Sequence, residues 1–519
     1  MSNFYSGSKI FQPVSDAVGL TVDQFNFMFC QLVASGFGFI FSRYLNTDKI
    51  SPTFRHIIEL VCGVSLTIFC FGSQIWHLLG QSISVYIMMN AMSTKSARYF
   101  ILGFVLLFLS VAHLARMYYD YGGYTMDITG PLMIQTQKLS SLAFNLHDGQ
   151  RIKKNEPLRR DYHRKHALLK YPTLLEFFSY MFYFHGIMVG PFVFLADYLR
   201  FIEGRQEEVL DNEKEKEYFR KNKSTILAGW PEIGFYVKSC LVFGLLTIFV
   251  QPHFDPDYFK TDEYLQSGMF YKYIMLTIVS FLVRQKYYFA WSIGSMSNIF
   301  SGLGFSGFSE ERKPIYDVVK NFDFFKIELG TSTKSIIDNW NVGTIYWLRE
   351  CVYDRIPRAY GTLAVFVCSS IWHGYYPGYY LCFMSLALFT EASRAGRKYI
   401  RPLVHKASLN LPYDVLTSLL GMLALNYCAI PFTQLEVQLT FYIWSKMFFI
   451  VHVGSVLLYF LTPKLAPLFS SASGDHSPRV ADKISGDDIS VHNSIRNENI
   501  SNNTTNKAEN TVKEDKKID

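Results

Sequence analysis

The chain has 519 residues, of which 50% are hydrophobic and only 18% charged, against about a quarter charged in soluble domains. Its formal net charge is +7. This balance excludes a secreted, cysteine-stapled domain and a mostly disordered chain, and disfavours a large soluble enzyme. It is the composition of an all-α polytopic membrane protein.

In chain order, apolar stretches long enough to cross a bilayer cover 27–44, 54–72, 75–92 and 99–117. They continue at 232–250, 271–293, 362–389, 413–430 and 441–461. Two more, 128–144 and 174–201, are interrupted by Gly130-Pro131 and Gly190-Pro191. The expectation is nine to eleven transmembrane helices, with broken or re-entrant elements. The first residues lack a basic segment followed by an apolar one, so insertion should begin with the first membrane helix rather than a cleaved signal. There is no 20–50-residue repeat of the kind that marks repeated architectures. The eight cysteines (Cys30, Cys62, Cys70, Cys240, Cys351, Cys368, Cys382 and Cys428) form no CxxC pair and read as small apolar residues.

Charge locates the loops. Residues 147–171 carry eight Lys/Arg, and 200–223 is rich in both signs. Both read as cytoplasmic. One span between them would put them on opposite sides, so 174–201 is expected to leave and re-enter on one face. Non-helical backbone at membrane depth must be packed in protein or line a polar cavity, which implies an internal chamber there. His163 and His166 form an HxxH, but Arg159, Arg160, Arg164 and Lys165 surround it. The pair reads as a solvated face, and no metal site is implied.

Residues 1–469 read as one membrane-embedded domain. The remaining 470–519 hold no Phe, Tyr or Trp, with 7 Lys/Arg and 9 Asp/Glu, and read as a disordered cytosolic tail. It ends Lys516-Lys517-Ile518-Asp519, which resembles the dilysine by which coat proteins retrieve endoplasmic-reticulum membrane proteins. Sequons at Asn499, Asn502 and Asn503 would then stay unused. No basic and aromatic ribbon suggests nucleic acid.

Two polar residues stand out in the apolar C-terminal half, Asn341 in DNWNVG and His373 in IWHGYYPGYY. Polar side chains in membrane spans are costly and mark function. They are 32 residues apart, with Pro357 midway. Two helical arms of about 13–15 residues would each be about 20 Å long. A hairpin turning at 355–358 would therefore bring Asn341 and His373 to one end.

The segments at 128–149 (ITGPLMIQTQKLSSLAFNLHDG), 286–291 (KYYFAW), 302–308 (GLGFSGF), 338–355 and 371–383 resemble the membrane-bound O-acyltransferase family. Within it they are most similar to the animal lysophospholipid acyltransferases. The likeness covers about residues 25–465. It implies a catalytic site among the helices and transfer of an acyl group from acyl-CoA to a lysophospholipid in the bilayer; the dilysine adds the expectation of a multi-pass protein of the endoplasmic reticulum. The likeness also implies no metal or prosthetic group. The His of the family's WHG and the Asn of its WN fall on His373 and Asn341. The sterol-acylating signature FYxDWWN is absent, since residues 335–341 read SIIDNWN. Lys286, Tyr288, Trp291, Trp340, Trp372 and Tyr376 are candidates for contacting substrate. The 286–291 cluster equally suits a span end, with aromatics and snorkelling cations in the interface. A protein O-acyltransferase of the same family and a transporter share the polytopic pattern. The transporter lacks support from repeats or from acidic residues inside spans.

Overall fold

The computed structural model describes residues 5–123, 125–227 and 229–471. One compact unit covers Met1–Pro463, and every site residue discussed below lies in it; Lys464–Asp519 belong to a second. The terminal dilysine and the sequons lie outside the described residues.

The first half comprises α1 (Gln12–Ala17), α2 (Val22–Tyr44), α3 (Pro52–Phe71), α4 (Ile75–Ala91), α5 (Thr94–Tyr119) and α6 (Thr129–Lys153). Then come α7 (Leu174–Phe182), α8 (Leu195–Ile202), α9 (Glu213–Leu227), α10 (Trp230–Leu245), α11 (Asp262–Gln266) and α12 (Met269–Ser301). The second half has α13 (Phe324–Glu328), α14 (Thr333–Asp338), α15 (Val342–Cys351), α16 (Arg358–His373) and α17 (Pro377–Tyr399). It closes with α18 (Arg401–Lys406), α19 (Asn410–Gln434), α20 (Val437–Ser445) and α21 (Ile450–Ser471). Among the described residues the strands are a two-residue antiparallel pair, β1 (Gly307–Phe308) and β2 (Pro314–Ile315).

By length and apolarity, five stretches among the described residues are able to cross a membrane: Val22–Tyr44, Pro52–Ala91, Thr94–Tyr119, Glu213–Lys260 and Asn410–Gln434. The pair α20 and Ile450–Lys464, bent by 79°, makes a sixth if it is one span. This is fewer than the nine to eleven read from hydropathy, for physical reasons. Residues 54–92 are nearly continuous, interrupted at Gly72–Gln74. The stretch 362–389 is broken after His373, so α16 and α17 are separate elements. α12 carries Lys272, Arg284 and Lys286; Phe270, Ile274 and Ile278 of its first half are exposed, whereas its serine-rich second half is buried in protein. There α2 and α12 approach closely: Ser35 Oγ and Ser297 Oγ are 2.8 Å apart, and a Cβ on Gly38 would lie 2.5 Å from Ser301 Oγ.

The interrupted stretch 128–144 proves to be part of one continuous helix, α6. Pro131 sits in its first turn, where a missing N–H costs nothing. α6 has essentially neutral hydrophobicity yet is buried almost throughout. It runs on to Lys153, so the basic loop begins later than its charge pattern implied.

Residues 174–201 form the expected broken element. α7 and α8 have 9 and 8 residues, too short to span, and the backbone between them is buried and non-helical. Its carbonyls are satisfied by side chains. Lys138 Nζ donates to Tyr180 O at 3.0 Å, Asn298 Nδ2 to His185 O at 3.0 Å, and Tyr180 Oη to Val193 O at 2.6 Å. These bonds allow irregular backbone at membrane depth. Arg200 Nη2 donates to Lys165 O at 2.7 Å, so the chain enters and leaves this element on one face.

Candidate active site

The hairpin exists, with unequal arms. α15 has 10 residues and α16 has 16, about 15 and 24 Å. Pro357 is the residue before α16, where its fixed φ suits helix entry. The Trp347 and Trp372 rings meet at 6.0 Å and register the two arms. Asn341 precedes α15 and His373 closes α16, so both stand at the same end of the hairpin, away from the turn.

Both arms hang on α6. Gln137 Nε2 donates to Thr344 Oγ1 at 2.8 Å, and Trp347 Nε1 to Ser140 Oγ at 2.8 Å. From the other arm, Trp372 Nε1 donates to Met133 O at 2.9 Å. The polar residues that hide α6 from a hydropathy reading are therefore the ones that position the arms.

Asn341 is the N-cap residue of α15, in the left-handed region at φ 51°, and its side chain makes no capping bond. N-cap side chains reach the N2 or N3 amide from the extended region; the left-handed backbone turns this one away. Beside it, Trp340 packs on Trp291 at 4.9 Å, Tyr287 at 5.7 Å and Tyr288 at 5.8 Å. Trp340, Trp291 and Lys286 are half-buried. Tyr288 is fully buried, and its hydroxyl donates to Glu328 Oε1 at 2.7 Å. Arg284 is also neutralised by Glu328, at 2.8 and 2.7 Å. This part of the cluster supports the Asn341 backbone.

His373 is half-buried in aromatic rings. Phe383 lies stacked at 4.9 Å and Phe432 edge-on at 5.5 Å, with Tyr379 at 6.1 Å. Phe432, contributed by α19, has no local signal in the sequence. Tyr376 packs on Tyr379 at 5.6 Å, and its hydroxyl accepts from Gly122 N at 2.8 Å. Trp372 is buried. Gly374 ends α16 at φ +123°, a conformation that favours glycine. Gly378 allows α17 to start against α19, since a Cβ there would lie 2.0 Å from Pro431 O.

The turn end differs from expectation. His163 and His166 are buried rather than solvated. His163 Nε2 is 3.1 Å from Asp354 Oδ2. His166 Nδ1 is 2.9 Å from Glu350 Oε1, its Nε2 is 3.5 Å from Asp197, and its ring stacks on Phe194 at 3.7 Å. Burial alone would lower the His166 pKa, but Glu350 and Asp197 outweigh it and push it up to about 9. Arg355 grips Asp148 with two bonds, at 2.9 and 2.6 Å. Arg355 is thus part of a structural ion pair, and Arg358, also near the turn, is exposed. Cys351 and Cys368 are free but buried.

The class defined so far is a multi-pass, all-helical membrane protein with an asparagine and a histidine at the open end of one helical hairpin. Residues 114–434 match the model of the membrane-bound O-acyltransferase family. The chain is 34% identical over 478 residues to Drosophila melanogaster lysophospholipid acyltransferase 6, covering 89% of this chain and 64% of that one. It is 36% identical over 471 residues to human membrane-bound glycerophospholipid O-acyltransferase 2, covering 88% of each. To the Schizosaccharomyces pombe lysophospholipid acyltransferase it is 29% identical, covering 85% of this chain and 87% of that one. The chain belongs to the membrane-bound O-acyltransferase family.

Proposed function

We propose that the protein transfers a fatty acyl group from acyl-CoA to the free sn-2 hydroxyl of a lysophospholipid, with a choline, ethanolamine or serine head group. The observation that carries the reading is the placement of Asn341, which makes no capping bond, and His373, set among aromatic rings, at the outer ends of the two arms of one hairpin. Relatives named for lysophospholipid acylation, similar over most of this chain, support it.

A glycerol hydroxyl is a poor nucleophile near pH 7. Neutral imidazole, with an ordinary pKa of about 6.5, suits the task of general base. His373 takes the hydroxyl proton as the oxygen attacks the thioester carbonyl. The new C–O bond forms, the C–S bond breaks, and the proton passes to the departing CoA thiolate. Asn341 hydrogen-bonds to the thioester oxygen or to the imidazole, in either case stabilising charge that develops in the transition state. The step needs no prosthetic group. The basic face around 154–171 would meet the CoA phosphates from the cytosol, and the dilysine would return the protein to the endoplasmic reticulum.

The test is lipid mass spectrometry of purified protein in detergent, given acyl-CoA donors and a panel of lysophospholipids. Phospholipid product and free CoA in equal amounts are expected. Acylation of a peptide acceptor with no lipid product would overturn the reading in favour of a protein acyltransferase.

A further inference from the structure

The helix ends that carry Asn341 and His373 leave backbone groups without intrahelical partners. At the start of α15, both the Val342 and Gly343 amides are covered by one residue, Asn321. Its carbonyl accepts from Val342 N at 2.9 Å, and its side-chain Oδ1 accepts from Gly343 N at 3.0 Å. Asn321 is buried, and its segment is pinned alongside by the Phe322–Trp340 bridge and the Asp323 N to Asn339 O bond. It thus does the capping that position 341 would ordinarily do.

At the end of α16 the exposed carbonyl is that of Trp372, and it is met by His113 from α5. The carbonyl can only accept, so His113 Nε2 carries the proton, at 3.1 Å. The same ring lies against the helix-ending glycine: a Cβ on Gly374 would lie 3.4 Å from His113 Cγ and Nδ1. One turn earlier on α5, Ser110 Oγ accepts from Tyr375 Oη at 2.8 Å. The WHG turn is therefore fastened to α5 on both sides of His373.

We propose that Asn321 and His113 are positioning residues for transfer. They act as surrogate caps that occupy the backbone groups next to Asn341 and His373, leaving both side chains unspent and aimed at substrate. Without the Asn321 acceptor, the Asn341 amide is drawn to the bare Gly343 N–H and leaves the site. Without the His113 donor, the last turn of α16 loosens and the imidazole drifts. Misplacement by about 1 Å costs on the order of 10²-fold in rate. The proposal rests on the reading of Asn341 and His373 as the reacting pair.

The experiment measures kcat and KM for acyl-CoA and lysophospholipid in purified, assembled variants. Asn321→Leu and His113→Phe keep size and lose the acceptor or donor; Asn321→Ala and His113→Ala replace either one that does not assemble. Each should lose about 10- to 100-fold in kcat with KM for both substrates unchanged. Asn321→Asp keeps an acceptor and His113→Gln keeps a donor, and these should recover most of the loss. In the background of Asn341→Ala, Asn321→Leu should cost nothing more. Loss variants within twofold of the native kcat, beside an inactive His373→Ala, overturn this proposal alone. So does an Asn321→Leu loss that multiplies with that of Asn341→Ala. Full activity in His373→Ala overturns the underlying site, and this proposal with it.

Discussion

The two ends of the α15–α16 hairpin are held by different physics. At the turn, buried ionisable side chains meet: Arg355 with Asp148, His166 with Glu350 and Asp197, His163 with Asp354. At the open end the bonds that tie the arms to α6 are neutral: Gln137 to Thr344, Trp347 to Ser140 and Trp372 to Met133, with rings around His373; the Arg284–Glu328 ion pair stands behind Tyr288 in the cluster around Trp340. The chemistry of the open end explains the contrast. A carboxylate beside His373 would favour imidazolium and remove the base. Neutral donors and aromatic walls hold the arm without biasing the proton. The turn lies about 24 Å away along α16, where ion pairs can staple it to α6 and α8 without reaching the imidazole. If the division is right, the open end should govern rate and the turn should govern stability.

The largest effect tests the first half of that statement. His373→Ala should lower transfer by about 10²–10⁴-fold while the purified protein melts near the native temperature. Melting can be followed with a thiol-reactive dye, because the buried free cysteines react only on unfolding. A melt lowered as much as that of the turn variants would erase the distinction.

At the turn the order reverses. The Arg355 and Asp148 side chains are 4% and 1% exposed. Removing one partner of such a pair leaves a bare buried charge, typically about 3–5 kcal/mol. Arg355→Met and Asp148→Leu should each melt well below the native protein. The double variant, with no bare charge, should melt above both. A double variant no more stable than the singles would mean that the pair is not the source of the stability.

Much of this architecture can be read from residues alone. Gly190-Pro191 between two basic loops points to the broken element, and Pro357 to the turn. Other parts are hidden because their partners are remote. His163 and His166 sit among four cations in sequence and look solvated. Their carboxylates lie 191 and 184 residues away and arrive only when the hairpin folds onto the loop. Hydropathy likewise scores α6 by its polarity and cannot see that it is buried in protein. Asn321 and His113 belong to no motif, because their roles depend on which backbone group each meets.

His166 gives the turn a pH signature. Its folded pKa, about 9, is raised above the ordinary 6.5. Stability from this group is therefore fully present below pH 6.5 and is lost as pH rises through 9. The melting temperature should fall between about pH 7 and 10, and His166→Gln should flatten that slope while leaving the protein less stable at pH 6. The groups facing the ring are Glu350 and Asp197, with Arg200 and Lys165 beside them. An unchanged slope in His166→Gln would assign it to other groups. His373→Ala should keep the native slope, since the rings packed on His373 are those of Phe383, Phe432 and Tyr379.

The smallest effect sharpens the comparison most, because it measures a neutral fastening against the charged ones. Gln137 is fully buried, donates to Thr344 Oγ1, and leaves its own Oε1 without a partner. Thr344→Val keeps shape and removes the acceptor, so the Gln137 amide is stranded at a cost of about 1–3 kcal/mol. Gln137→Leu removes both ends of the amide, including the unpaired oxygen, and should cost less. In a double-mutant cycle the coupling should be about 1 kcal/mol. That is well under the coupling between Arg355 and Asp148. A neutral bond loses little water on burial and returns little when broken, whereas a buried ion pair stakes the solvation of two charges on one contact. If the Gln137–Thr344 coupling equalled that of the ion pair, the open end would be as strongly stapled as the turn, and the separation of rate from stability along the hairpin would fail.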